Sequence, residues 1–135
     1  MLSVIIPHYN RPETTLITLG ALARQTLNHF EVVLVDDGSE STALDAVIEP
    51  KYSFDMRVIR QDHLGPAAAR NTGAQSARGT VLLFLDCDIV LDANALQAHA
   101  LSHEVRPTHL AAGVVDFWPP ATRSVWGQVI DQSVG

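Results

Sequence analysis

The chain has 135 residues with 9 basic and 15 acidic side chains, a formal net charge of −6, and 47% of its residues are hydrophobic. That length and apolar content suit one soluble globular domain and exclude a solvated disordered coil. The acidic balance argues against a nucleic-acid partner, which needs a basic footprint, and the single cysteine, Cys87, excludes an intrachain disulfide or a multi-cysteine zinc site.

Short β-branched and aliphatic runs alternate with helical patterns. Val4-Ile5-Ile6 reads as the first strand. Pro12 and Glu13 suit the first turn of a helix to about Gln25, with Leu16, Leu19, Ala23 and Leu27 as its apolar stripe. Val32–Val35 is a continuous apolar run, as expected for a strand covered on both faces of a parallel sheet. A helix is expected between Ser41 and Pro50, then a short strand at Val58-Ile59. Pro66 opens an Ala-rich helix that Arg78-Gly79 closes. Val81–Leu85 is a second continuous apolar run; beyond it Asp92 suits an N-cap, with Leu91 and Leu96 as a hydrophobic staple, for a helix to about Ser102. A further strand is expected near Leu110–Phe117, and Pro119-Pro120 then ends regular structure. Residues 1–118 therefore form the folded unit and 119–135 carry little signal. The β-α-β-α-β-α-β-α order implies an α/β fold with a mainly parallel central sheet flanked by helices on both faces.

No stretch reaches the ~18 apolar residues of a membrane span. The start, Met1–Pro7, lacks the basic and long apolar regions of a secretory signal. A cytoplasmic location is the expectation, any membrane association belonging to regions outside this chain.

In open α/β sheets ligands bind beyond the carboxyl ends of the strands. Here those ends read Pro7-His8-Tyr9-Asn10, Asp36-Asp37-Gly38-Ser39, Asp62-His63-Leu64-Gly65 and Asp86-Cys87-Asp88. Carboxylates gathered in one cleft repel unless protonated, hydrogen-bonded or bridged by a cation. An Asp-x-Asp pair directly after a buried strand can offer oxygens to a hard divalent ion, whose shell water and substrate phosphates would complete. Taken singly each motif has a plainer reading. Most Asp-x-Asp pairs are turns or caps, Asp36–Ser39 fits a type I turn feeding a helix cap, Pro7 can end a strand, and Tyr9 can be core.

Ser3–Asn10, Glu31–Ser39, Gly65–Gly73 and Phe84–Asp88 together resemble the successive signatures of glycosyltransferase family 2, inverting enzymes with a GT-A type, Rossmann-like fold. The resemblance covers residues 2 to about 100 in the family's order and spacing. It implies a nucleotide-diphosphate-sugar donor, with a uridine diphosphate sugar expected and guanosine or thymidine diphosphate left open. Pro7 and Tyr9 would form the floor and wall around the base, and Asp37 would recognise it, since an ionised carboxylate accepts the uracil imide N–H. Arg70 would help hold the nucleotide, while Asn71 and Gly73 shape the turn and close packing. Asp86 would contact the ribose or metal-bound water, and Asp88 would bind the Mg²⁺ or Mn²⁺ that bridges the diphosphate.

An inverting transferase also needs a general base for the acceptor hydroxyl, whether of a glycan, lipid or protein. Only Glu104, Asp116 and Asp131 follow the Asp-x-Asp helix, none in a recognisable base pattern. The expectation is a truncated, donor-binding portion whose base lies beyond Gly135. A module that binds the sugar nucleotide without transferring it is the main alternative. A haloacid-dehalogenase-type phosphatase also fits Leu82–Val90 but requires a downstream lysine, and none follows Lys51. A nucleotidyltransferase lacks its glycine-rich, lysine-bearing phosphate loop. His99 and His103 stand at i, i+4, but without an H-E-x-x-H arrangement they read as a solvated helix face. Cys87 reads as a small buried residue; Trp118 and Trp126 suit core packing more than sugar stacking.

Overall fold

The structure, a computed structural model describing residues 1–114, buries the apolar run Val32–Val35 on both faces of its strand, whereas Val81–Leu85 keeps one side exposed at Leu82 and Phe84, 39% and 49% accessible. The elements are β1 (Leu2–His8), α1 (Pro12–Leu22), β2 (Phe30–Asp36), α2 (Ser41–Ile48), β3 (Asp55–Arg60), α3 (Pro66–Ser76), β4 (Val81–Phe84) and α4 (Ala95–Val105). The four strands are parallel, in the order β3-β2-β1-β4. The first two connections move outward in one direction and α3 carries the chain back across β1. Right-handed crossovers therefore put α1 and α2 on one face and α3 on the other.

The packing follows. Leu19 and Leu22 of α1, Leu44 and Val47 of α2 and Leu96 of α4 meet Leu2, Val4, Ile6, Val32 and Leu34. On the opposite face Ala69 of α3 packs against Ile5, Val33 and Val35. Each fully buried aliphatic side chain contributes about 1.5–3 kcal/mol. Gly73, one turn beyond Ala69, lets α3 approach this closely: a Cβ there would lie 2.4 Å from Ile5 Cγ2 and 3.2 Å from Val35 Cγ2. Gly73→Ala should therefore lower stability by about 1–3 kcal/mol through overpacking, read as a lower urea midpoint with an unchanged slope. A midpoint equal to wild type would mean that the helix can stand further from the sheet at no cost. Asn71 shapes no turn; it lies within α3 with its side chain exposed.

Two boundaries and one stripe differ from the sequence reading. Helix α1 ends at Leu22 rather than Gln25, and its buried face is Thr15, Thr18, Leu19, Ala21 and Leu22, with Ala23 exposed. Thr15 is admitted because it returns its hydroxyl to the Arg11 carbonyl at 2.8 Å. Helix α4 opens at Ala95 with Asn94, not Asp92, at the N-cap. Asp92 instead gives its backbone carbonyl to the Gln25 amide at 2.7 Å, and Gln25 Oε1 accepts the Leu96 N–H at 3.0 Å. A side chain from the end of α1 thus caps α4 from a distance. Residues 110–114 form no regular structure; the rest of the strand expected at 110–117, the boundary near 118, and Asp116, Trp118, Trp126 and Asp131 lie outside the described residues.

A buried polar cluster anchors the end of the sheet opposite the cleft. Glu31, 1% exposed, accepts from Ser3 Oγ at 2.6 Å, the Arg78 N–H at 2.6 Å, Arg78 Nε at 2.8 Å and Arg57 Nη2 at 3.1 Å. Arg78 also pairs with Asp55.

Candidate active site

The strand order places a topological switch between β1 and β4, where the chain leaves one side of β1 and later returns on the other. Pairing between these strands stops at Ile5↔Phe84, with one further bond from the Leu85 N–H to the Ile5 carbonyl. The His8 carbonyl, by contrast, accepts from Asp37 on the β2 side. Backbone groups alternate sides along a strand, so the Pro7 nitrogen faces the place where β4 has already turned away. A missing N–H costs nothing there, and Pro7 does not end β1, which continues to His8.

The diverging ends enclose a cavity of about 340 Å³. It is lined by Pro7, His8, Tyr9 and Arg11 after β1, Asp37 after β2, His63, Pro66 and Arg70 around the start of α3, and Asp86, Cys87 and Asp88 after β4. Pro7, Tyr9, Asp37, Arg70, Asp86 and Asp88, each singled out by sequence, therefore share one pocket.

Two interlocked loops set its shape. Asn10, at φ 48°, donates its N–H to Ser39 Oγ at 2.8 Å and accepts the Glu40 N–H at 2.9 Å. Asp36, fully buried, accepts the Ser39 N–H at 3.2 Å and lies 3.3 Å from Arg60 Nε. Asp37 is buried too. Its Oδ1 accepts from the Gln61 amide at 2.7 Å and the Leu64 N–H at 2.9 Å; its Oδ2 accepts the Gly65 N–H at 2.9 Å and lies 2.9 Å from His63 Nδ1. Burial alone would push this carboxyl up, but the bonds from Leu64, Gln61 and Gly65, with the charge of His63, outweigh it and hold it below its ordinary value. Gly38, at φ +82°, permits the close approach, since a Cβ there would sit 3.0 Å from the His63 nitrogen. Asp37 is consequently a strut between the β2 and β3 loops as well as a pocket-lining carboxylate.

On the other flank Arg70 Nη2 pairs with Asp86 at 2.5 Å, and Arg11 Nη1 with Asp88 at 3.6 Å. Asp86-Cys87-Asp88-Ile89 is a tight turn, the Ile89 N–H reaching back to the Asp86 carbonyl at 3.3 Å. Cys87 is half-buried and packs against the main core while lining the cavity. His8, 1% exposed, faces Thr15 Oγ1 through Nδ1 at 2.9 Å. Because Thr15 donates its own proton to Arg11, Nδ1 must be the protonated nitrogen, leaving Nε2 a buried acceptor without a partner among the described residues. Burial pushes this imidazole down, against the opposing charge of Asp36, and keeps it neutral.

Arg11, His8, Gln61 and His63 were not singled out by sequence as site residues. Their positions just after β1 and β3 are the available signal, but nothing in their types declares which way they turn. His99 and His103 sit on α4, where His103 bonds the His99 carbonyl at 2.8 Å and stacks on His109. Both are half-buried rather than a solvated face. Among the described residues no three metal-binding side chains converge.

Residues 3–130 match the sequence profile of the family described as Glycosyl transferase family 2. The chain belongs to that family. Its resemblance to a glycosyltransferase of Haemophilus influenzae, itself uncharacterised, is 45% identity over 89 residues, covering 65% of this chain and 29% of the relative. Staphylococcus aureus TarS 1–349, solved in complex with UDP-GlcNAc, superposes with a TM-score of 0.72 at 30% identity, covering 78% of this chain and 32% of that one. The mannosyltransferase PcManGT of Pyrobaculum calidifontis, solved with GDP-Man and Mn²⁺, gives 0.72 at 25% identity over 86% of this chain and 35% of that one. This family 2 chain thus spans about a third of each of these three proteins, and its fold is the GT-A type found in the two solved ones. Among its described residues no helix is long and apolar enough to cross a membrane.

Proposed function

We propose that the cleft binds a nucleoside-diphosphate sugar, with uridine diphosphate as the carrier, and is the donor half of a metal-dependent inverting glycosyltransferase. The observation that carries the reading is the convergence of Tyr9, Asp37, Arg70, Asp86 and Asp88 from separate strand ends on one cavity. Tyr9 offers a ring face for a base, and Asp37 an ionised acceptor for an imide N–H. Arg11 and Arg70 supply guanidinium groups suited to diphosphate oxygens.

Asp86 and Asp88 fit a hard divalent ion, Mg²⁺ or Mn²⁺. Both are oxygen donors, both line the cavity, and both are about half exposed, so water and phosphate oxygens can complete a shell that two carboxylates alone do not fill. Such an ion supplies Lewis-acid stabilisation of the charge that develops on the departing nucleoside diphosphate. The protein's own part is to stack and orient the base, to hold the diphosphate, and to fix the anomeric carbon above the cleft. Glu104 lies on α4 and is not among the cleft-lining residues; we assign the proton-accepting carboxylate to a region outside the described residues. The acceptor is a glycan, lipid or protein bound by that same region. We place the reaction in the cytoplasm, where the Cys87 thiol beside the two aspartates stays reduced.

Calorimetric titration with UDP and GDP, each with and without Mn²⁺, tests the reading. UDP should bind at least about tenfold more tightly with Mn²⁺ present, and more tightly than GDP. Affinity indifferent to Mn²⁺ would remove the metal from the proposal, and a preference for GDP would change the carrier. Binding of UDP-sugar without any transfer by this chain accords with a donor half that lacks its base.

A further inference from the structure

His63 lies over Tyr9 with ring centroids 4.1 Å apart and planes inclined by 23°. Its Nδ1 donates to the Asp37 backbone carbonyl at 3.0 Å, so Nδ1 carries the proton, and the nitrogen itself stands 2.9 Å from Asp37 Oδ2. A flat nitrogen ring stacked on Tyr9 and standing against Asp37 occupies the place that the proposed function requires of a nucleobase. The other acceptor positions of the Asp37 carboxylate are taken by Gln61, Leu64 and Gly65. A carboxylate offers about four such positions, so the one left for a base N–H is on Oδ2, which the His63 Nδ1 crowds at 2.9 Å. The imidazole is not locked there: its side chain is 57% exposed, and the backbone bonds from Leu64 and Gly65 to Asp37 hold the loop whatever the ring does.

We propose that His63 is a nucleobase mimic built into the donor site, which an incoming base must displace from both Tyr9 and Asp37. The inference rests on the reading of the cleft as a sugar-nucleotide site. It makes His63 a specificity-determining residue. A ligand gains from the base subsite only what exceeds the stack and the N–H contact already made by the imidazole, so weakly stacking bases, or bases with no N–H to offer, are selected against.

The test is calorimetry on the 135-residue chain and its His63→Ala variant, with UDP and with inorganic pyrophosphate, both in Mn²⁺. Removing the competitor should tighten UDP binding by about three- to tenfold, the worth of one hydrogen bond and one ring stack. Pyrophosphate, which has no base, should bind both proteins equally. In parallel, the nuclear Overhauser contact between the Tyr9 and His63 rings in wild type should vanish as UDP saturates. UDP affinity unchanged or weakened in the variant, an equal gain for pyrophosphate, or a ring contact that survives saturation would each overturn the role of His63 while leaving the site standing. Failure of both proteins to bind either UDP or GDP would overturn the sugar-nucleotide reading, and this inference with it.

Discussion

Asp88→Ala is expected to abolish the Mn²⁺-dependent part of UDP binding, lowering affinity in Mn²⁺ by about 100-fold or more while leaving the metal-free affinity unchanged or slightly higher. The asymmetry follows from the pocket's charges. With Asp88 present, Arg11 is 3.6 Å away and both side chains are about half exposed or more. An ion pair of that kind is worth at most about 1 kcal/mol to the fold. Its loss should therefore leave the protein folded and release a guanidinium for the phosphates. What disappears is an oxygen ligand in a pair that has no third carboxylate to take its place, since among the described residues no larger cluster forms. Calorimetry on the variant with and without Mn²⁺ checks this. A variant that keeps its Mn²⁺ response would place the ion elsewhere, and one that loses affinity equally in both conditions would make Asp88 a nucleotide contact rather than a metal ligand.

The second large effect is on stability. Glu31→Gln should destabilise the protein by about 3 kcal/mol at neutral pH, because it removes the charge from a buried carboxylate on which two arginines depend. The penalty should shrink in acid. Burial would raise the Glu31 carboxyl, but hydrogen bonds from Ser3, from the Arg78 N–H and side chain and from Arg57 prevail and lower it to about 2, against an ordinary 4.5. Because the folded value is the depressed one, the stabilisation is complete above the unfolded value and is lost as pH falls from 4.5 through about 2. At pH 3 the gap between wild type and variant should have closed by about half. Urea unfolding at pH 7 and pH 3 measures both numbers; a gap independent of pH would mean that the arginine contacts matter through shape and not through charge.

Much of this molecule is written in residue type. Val32–Val35 is covered on both faces of a parallel sheet, and the strand ends then follow in order, so Tyr9, Asp37, Asp86 and Asp88 reach one edge; the equally apolar Val81–Leu85 misleads, since as an outer strand it leaves Leu82 and Phe84 exposed. Elsewhere type misleads. Two of the five buried residues of α1 are threonines, of which Thr15 satisfies its hydroxyl on the Arg11 carbonyl, and an apolar count passes over such residues. The cap of α4 comes from Gln25, 71 positions from the N–H it accepts; no local pattern around Asp92 or Asn94 contains it. Asp37 was legible as a carboxylate at the right place, yet its lone pairs are met by backbone groups of Leu64 and Gly65, and only the tertiary fold brings those two loops together. Arg11 and His63 are of the same sort: ordinary polar residues in sequence, given their roles by which way a loop turns.

The pairing of Arg11 with Asp88 and of Arg70 with Asp86 has one further effect. Each couple cancels its own field beyond the few ångströms between its members, on a protein whose overall sign is already negative. An anionic nucleotide is therefore not drawn in from afar, and the net negative charge of the chain slows its approach rather than guiding it. Discrimination is postponed to contact, when each guanidinium exchanges a carboxylate for a phosphate oxygen and the count of opposite-charge neighbours stays the same.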